Sequence, residues 1–433
     1  MDHPAYLRRT AIVILALAGA SVALAIGVDP YRVFGTPPVP GWTELKPRIY
    51  QHAAMAKVAM LERVGPKTLL LGNSRVEVGF NPDSTSWPAA ARPIFNAAES
   101  GRGLDVALRM LQDAIAVRRP HDVLLGVDFV DFLEPTSPPD TPLLRIGAED
   151  RRLLVGPDGK PNPERPLQAL RDRLNATLSI DALLDSLDTL LEQNPRTGRT
   201  MTVLGFDPLH EYRLFIRRSG QYQIFQQKNT TYQEQLRSRL APSFRDPGAL
   251  ASARLLQRII EVTRDHRVRL ILFIYPYHAD FLEILHAAGL WSGFEAWKRM
   301  LVRMCAAAER GGSDIHLFDF SGYGPVTTEP VPRRGDTASE MRWYWESGHF
   351  KSALGDLIVR RVFGTSGNFG TVLTQANIET MLRGIRADRA RYLATPPTGS
   401  TVRADKASQT DRNVAQGPEV SASSVGPDAP AAQ

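Results

Sequence analysis

Apolar residues along this chain come in three textures: one long uncharged run, several short solid runs, and several stretches in which they recur every third or fourth position. The long run is 11–28, built of Ala, Ile, Val, Leu and Gly. At about 1.5 Å per residue it is long enough to cross a bilayer, so it predicts a transmembrane helix or signal anchor. Arg8 and Arg9 precede it, which predicts a cytoplasmic segment 1–10 and a body outside the cytoplasmic membrane. Ala23-Leu24-Ala25 also matches a small-x-small cleavage pattern, the mark of a removable signal peptide. Both readings export the body; the length of the run favours the uncleaved, single-pass anchor.

The short solid runs, 68–72, 122–127, 267–274 and 315–320, predict strands buried on both faces. The periodic stretches 104–117, 249–265, 293–310 and 351–362 predict amphipathic helices between them, and 50–63 predicts a helix leading into the first strand. Alternating strands and helices predict an α/β fold on a parallel sheet. Polar residues follow the strand ends, where open α/β sheets bind ligands: Ser74, Asp128, Tyr275 and Ser321.

This pattern divides the chain. Residues 29–66 form a membrane-exit linker, with a Pro/Gly-rich link at 35–41, and the leading helix. The first half of the core is 67–133. An insertion at 134–247 holds a helical stretch near 178–193 and a mixed segment at 205–222; a structureless loop of that length is improbable, so a lid subdomain is expected. The second half and a C-terminal helix at 374–393, with Thr374 as its N-cap, occupy 248–394. Residues 395–433 lack apolar periodicity and are expected to be disordered. No internal repeat is present.

Composition narrows the function classes. The chain has 433 residues, 43% hydrophobic, enough for a sizeable core. Its net charge of +6 is scattered, and no basic motif is interleaved with aromatics, so no nucleic-acid partner is expected. The single cysteine, Cys305, lies in an apolar helical run and reads as a small buried hydrophobe. Intrachain disulfides and Cys-based metal sites are excluded. Asp128, Asp131, Asp319 and His349 match no metal-ligand spacing, so neither metal nor cofactor is expected. Asn229-Thr230-Thr231 is a glycosylation sequon, meaningful only in a glycosylating secretory system.

Candidate chemistry begins at Leu69-Leu70-Leu71-Gly72-Asn73-Ser74-Arg75. A serine just past a core strand stands at the open edge of the sheet, where a nucleophile belongs; a helix cap is the plainer alternative. Gly72 lets the backbone turn, and Asn73 tolerates unusual dihedrals. Far along the chain, Glu346 and His349 stand three residues apart in Trp343-Tyr344-Trp345-Glu346-Ser347-Gly348-His349-Phe350. In a turn this spacing lets the carboxylate reach Nδ1 while Nε2 faces Ser74; alternatively the pair caps the following helix and the aromatics fill core. Oxyanion donors would come from the loop Asn96-Ala97-Ala98-Glu99-Ser100-Gly101 before a helix N-terminus; alternatively the loop is a simple strand-to-helix turn.

These blocks resemble the SGNH (GDSL-like) hydrolase superfamily. Gly72-Asn73-Ser74 resembles its first block, Asn96 to Gly101 its second, and Glu346-Ser347-Gly348-His349 its last, with Glu for Asp. The third block supplies an Asn in Gly-x-Asn; here Gly126-Val127-Asp128 has Asp. An ionised Asp128 would repel an oxyanion; it serves there if protonated, or orients a donor or a substrate hydroxyl. A closer resemblance, over most of 29–392, is to bacterial membrane-anchored SGNH-like proteins of little-known function, through Asp29-Pro30-Tyr31, Leu70 to Glu77 and Met341 to His349. The layout is distantly similar to extracytoplasmic proteins that help acylate alginate or teichoic acids beside a membrane-bound acyltransferase.

The resemblance implies a three-layer, flavodoxin-like SGNH fold. It also implies a periplasmic serine esterase or O-acyltransferase acting on an acylated cell-envelope glycan or similar ester, with Ser74, His349 and Glu346 as triad and Gly101 among the oxyanion donors. The alternatives are a catalytically silent glycan-binding or assembly protein and an acyl-carrier partner of a membrane acyltransferase. His278, in Tyr275-Pro276-Tyr277-His278, reads as a second base, a substrate contact or a surface loop histidine. Arg75 is suited to a substrate carboxylate or phosphate, or to a structural pair with Glu77 or Glu346; Arg342 invites the same two readings. Trp343 and Trp345 stack on sugars or pack.

Overall fold

A computed structural model describes residues 3–136, 150–364 and 367–395. The expected tail lies, Thr395 apart, outside the described residues. The apolar run lies within helix α1 (His3–Val28), long and apolar enough to cross a membrane. Its carboxyl end is tied off by the polar segment that follows. The Asp29 carboxylate accepts the backbone N–H groups of Val33 and Gly35, each at 2.8 Å, and the buried Lys46 ammonium donates to the Val28 carbonyl.

Helix α2 (Ala53–Val64) leads to β1 (Thr68–Leu71), α3 (Ser74–Gly79), β2 (Ile94–Asn96), α4 (Leu104–Arg118) and β3 (Asp122–Val127). The insertion follows. It contains β4 (Glu134–Pro135), α5 (Arg165–Leu178), α6 (Ile180–Leu191), α7 (His210–Ser219), α8 (Gln221–Arg237) and β5 (Arg239–Leu240). β4 and β5 pair antiparallel, so the insertion leaves and rejoins the core at one neck. The chain resumes with α9 (Ala251–Asp265), β6 (Arg269–Ile274), α10 (Ala279–Ala287), α11 (Trp291–Arg310) and β7 (Ile315–Asp319). The last described elements are β8 (Tyr344–Glu346), β9 (His349–Phe350), α12 (Ser352–Val362), β10 (Thr371–Val372) and α13 (Ile378–Ala394).

The main sheet has six strands in the order β10-β7-β6-β3-β1-β2. All neighbours are parallel except β10, which runs antiparallel on the edge beside β7. β1 and β3 are buried at every position and β6 at all but its first, as strands covered on both faces must be. α4 buries Leu104, Ala107, Met110, Leu111 and Ala114 along one stripe and packs against α2 and α9. The strand order reverses between β1 and β3, so a crevice opens at their carboxyl ends.

The core elements fall within a few residues of their predicted bounds. The insertion departs further. One helix was expected near 178–193, where α5 and α6 form a hairpin. α8 was not expected: its sequence is mostly Gln, Asn, Thr and Tyr, and it buries polar residues such as Gln221 and Asn229 beside Ile224 and Phe225. α10 is buried nearly all round, Asp280 and Glu283 included, so it lacks the polar exposed face that marks an amphipathic helix. Thr374 does not cap α13. The Asn377 side chain closes the turn, accepting the Thr374 N–H at 2.8 Å and donating to the Val372 carbonyl at 2.7 Å.

Candidate active site

Ser74 is delivered by a sharp turn at the end of β1. Gly72 has φ +146°, and a Cβ there would stand 2.6 Å from Val76 Cγ2 and 2.9 Å from the Tyr275 hydroxyl, so only glycine fits. Asn73 is in ordinary extended backbone rather than the unusual region its type permits. Its work is capping: Oδ1 accepts the Arg75 N–H at 3.1 Å, and its carbonyl accepts those of Val76 and Glu77. Because Asn73 is the cap, the Ser74 hydroxyl is free for another partner.

That partner is His349. Its Nε2 lies 2.8 Å from Ser74 Oγ, and its Nδ1 is bonded to Glu346 Oε1. Glu346 and His349 face each other across the β8–β9 hairpin, whose turn is Ser347-Gly348. With Nδ1–H donating to the carboxylate, Nε2 is the acceptor for the serine proton. Glu346 is fully buried; burial raises its pKa, but the adjacent imidazole and the Gly348 N–H, 2.8 Å from Oε2, hold it below the ordinary glutamate value.

Two residues of the insertion complete this arrangement, and sequence reasoning missed both. The Tyr232 hydroxyl donates to Glu346 Oε1 at 3.1 Å and lies 3.4 Å from His349 Nδ1. A Cβ on Gly348 would stand 2.4 Å from that hydroxyl, so the glycine makes room for the tyrosine. Ser347 Oγ donates to Asn229, whose amide donates to Asp280 at 3.1 Å. Asn229 and Tyr232 are three apart and share a face of α8, the one signal that could have found them. Asn229 is 1% exposed, so the sequon offers no acceptor on the folded chain.

Asp128 sits at the end of β3 and is 2% exposed. Its carboxylate accepts from Asn73 Nδ2 at 2.8 Å, the Tyr277 hydroxyl at 2.8 Å and the Val130 N–H at 3.1 Å, and it is ion-paired with Arg75. Burial opposes the Arg75 charge, but Asp128 overcomes it and raises the guanidinium pKa. Arg75 also lies over Tyr275, Tyr277 and Phe281, its Cζ 5.4–5.5 Å from each ring centre. Surrounded by donors, Asp128 is an acceptor, and it holds the Asn73 amide. Arg75 pairs with Asp128, not with Glu77 or Glu346. Glu77 pairs with the buried Lys57 at 2.9 Å and accepts the Ser100 N–H and hydroxyl.

Other expected site residues lie elsewhere. The Asn96 amide is not aimed at Ser74; it is spent on the Val76 and Phe80 carbonyls at 2.9 and 3.0 Å, tying β2 to α3. His278 is buried between Phe225 and Tyr344, accepts the Asp280 N–H and contacts the Glu329 carbonyl, so it is a structural cap of α10 rather than a base. Trp345 is buried against Tyr212, while Arg342 lies over the ring of Trp343. Burial pushes the Cys305 thiol up to about 12. Gly101 lines a cavity together with Ser74 and His349, with φ +73° and open space where a Cβ would project.

Ser74 and His349 lie where two cavities meet. One, of about 570 Å³, is lined by Glu77, Ser100, Asp207 and Tyr212. The other, of about 360 Å³, is lined by Arg75, Gly101, Asp131 and Tyr232. Asp131 is pushed well above the usual carboxylate range by burial and by the Asp128 charge. Among the described residues no group of His, Cys, Asp and Glu could hold a metal ion. No protein-family model, curated protein or solved structure matches the chain.

Proposed function

We propose that this chain is a membrane-anchored, extracytoplasmic SGNH-like serine esterase or O-acyltransferase acting on an acylated envelope glycan or a similar ester. The observation that carries the reading is the bonded series Ser74 Oγ, His349 Nε2, His349 Nδ1, Glu346 Oε1 on the floor of a crevice. His349 takes the Ser74 proton as Oγ attacks the ester carbonyl; Glu346 steadies the imidazolium. The oxyanion is received by backbone N–H groups. The Arg75, Val76 and Glu77 donors are engaged by Asn73, so the donors proposed for it are those of Ser74 and Gly101. His349 returns its proton to the leaving alcohol, and a second hydroxyl, activated by the same imidazole, releases the acyl group from Ser74.

The space on either side of Ser74 leaves room for an acyl donor and for water or an acceptor hydroxyl. A fluorophosphonate probe tests the chemistry. The full-length protein should be labelled stoichiometrically, and Ser74→Ala should abolish the label. Wild-type protein that binds polysaccharide yet resists the probe at every pH would overturn the enzyme reading.

A further inference from the structure

The insertion contains a hairpin built inside out. On α5 the buried positions include Gln168 and Asp172, and on α6 Asp185, Ser186 and Thr189. The polar face is satisfied within the protein. Asp172 pairs with Arg152 at 2.7 Å, and Asp185 accepts the Tyr31 hydroxyl at 2.7 Å. The leucines point the other way. Leu167, Leu170, Leu174 and Leu178 form one stripe on α5, and Ile180, Leu184, Leu187 and Leu191 form one on α6, all exposed, Leu191 to 82%. Spacings of three and four place each set on a single helix face. Scattered surface leucines are ordinary; two aligned stripes on paired helices are not.

The position of the hairpin says what covers it. α5 and α6 both pack against α1, and only the last turns of α1, from about Ser21 to Val28, are covered by the protein. At 1.5 Å per residue that overlap is on the order of 10 Å, the depth at which an amphipathic helix lies in a membrane interface. Arg171 is exposed within the α5 stripe, where a guanidinium can reach lipid phosphate, and Trp42, 66% exposed, lies in the exit segment whose Leu45 is bonded to Gln193 just beyond α6.

We infer that the α5–α6 hairpin is a second membrane contact, seated leucine face down in the outer interface of the bilayer that α1 crosses. The contact would hold the body in one orientation instead of leaving it on a swivel at residue 29. Away from its leucine stripe, α5 lines a cavity of about 290 Å³ that shares Met55 and Arg152 with the larger Ser74 cavity, so the hairpin is joined to the walls of the candidate active site.

The test uses the full chain in vesicles of phosphatidylethanolamine and phosphatidylglycerol carrying a nitroxide-labelled lipid. An environment-sensitive fluorophore is attached at Leu174→Cys, Leu184→Cys and, as a solvent reference, Arg258→Cys on α9. The buried Cys305 is the labelling blank, read from wild-type protein. The hairpin positions should emit blue-shifted light and be quenched by the nitroxide about threefold more than the reference. Water-like emission at both positions would overturn the inference. So would shielding without quenching, which would mean that protein, such as a second copy of the chain, covers the leucines.

Discussion

At the scale of single residues, the environment of Glu346 decides what the candidate triad can do. A fully buried carboxylate is costly unless donors surround it, and here they come from His349, Gly348 and Tyr232. Tyr232 does not contact Ser74; it positions the carboxylate that positions the imidazole. Tyr232→Phe deletes one donor while leaving the ring packed on Phe281. The fluorophosphonate labelling rate should fall about tenfold, the equivalent of one lost hydrogen bond to a charge. The pH midpoint of labelling should move as well, because Glu346 Oε1 loses a donor that shares it with His349 Nδ1; an unchanged midpoint with a lowered rate would mean that Tyr232 only packs. Asp128 follows the same logic in reverse: it is ion-paired with Arg75 and accepts from the Asn73 amide, so it braces the turn that presents Ser74.

At the scale of elements, the candidate nucleophile Ser74 and candidate base His349 sit on pieces far apart in sequence, so their spacing depends on how those pieces dock. α12, directly after the β9 strand that carries His349, meets the end of α3, which begins with Ser74. A Cβ on Gly355 would stand 1.9 Å from the Gly79 carbonyl, and one on Gly79 would stand 2.1 Å from Phe350 Cε2. These two glycines set the approach. Gly355→Ala should push α12 away from α3, cost about 1–3 kcal/mol in chemical denaturation, and slow labelling of Ser74 beyond what the lost stability explains. Unchanged stability and labelling would show that the elements slide freely past one another.

For the whole molecule, buried carboxylates set how stability depends on pH. Burial and the neighbouring Glu77 charge push Asp207 up to about 7. A carboxyl whose folded pKa is raised favours the folded state below its unfolded value of 3.8, and that contribution is lost as pH rises through about 7. Glu283, Glu295 and Glu346 are held below their usual range, Glu283 and Glu295 by arginines and Glu346 by His349, against the opposing effect of burial, and contribute the opposite slope in acid. The protein should therefore be most stable in mildly acidic solution. Asp207→Asn should be close to neutral near pH 4 and stabilising by up to about 4 kcal/mol near pH 8, read as the change in denaturation midpoint across that window. A variant equally unstable at both pH values would show that Asp207 is held by hydrogen bonds and not penalised by charge.

The core strands and their flanking helices were legible because burial on two faces and amphipathic periodicity are local properties of sequence. The triad candidates were legible for a related reason: a serine past a strand and a Glu-x-x-His turn each carry their meaning in a few adjacent residues. Tyr232, Asn229 and the Arg75–Asp128 pair were not legible, because their partners lie from 51 to 118 residues away and only the packed insertion and sheet bring them together. The same holds for the residues that moved out of the site. Asn96 and His278 had suitable chemistry, but tertiary packing spent their polar atoms on nearby backbone. Sequence by itself determined the candidate reactive side chains and the main strands and helices of the core, since those follow from local chemistry. The tertiary structure alone decided which of those groups meet, which are neutralised by a buried partner, and that the leucines of α5 and α6 face outward beside α1, because each of these depends on what is packed against a residue and not on the residue itself.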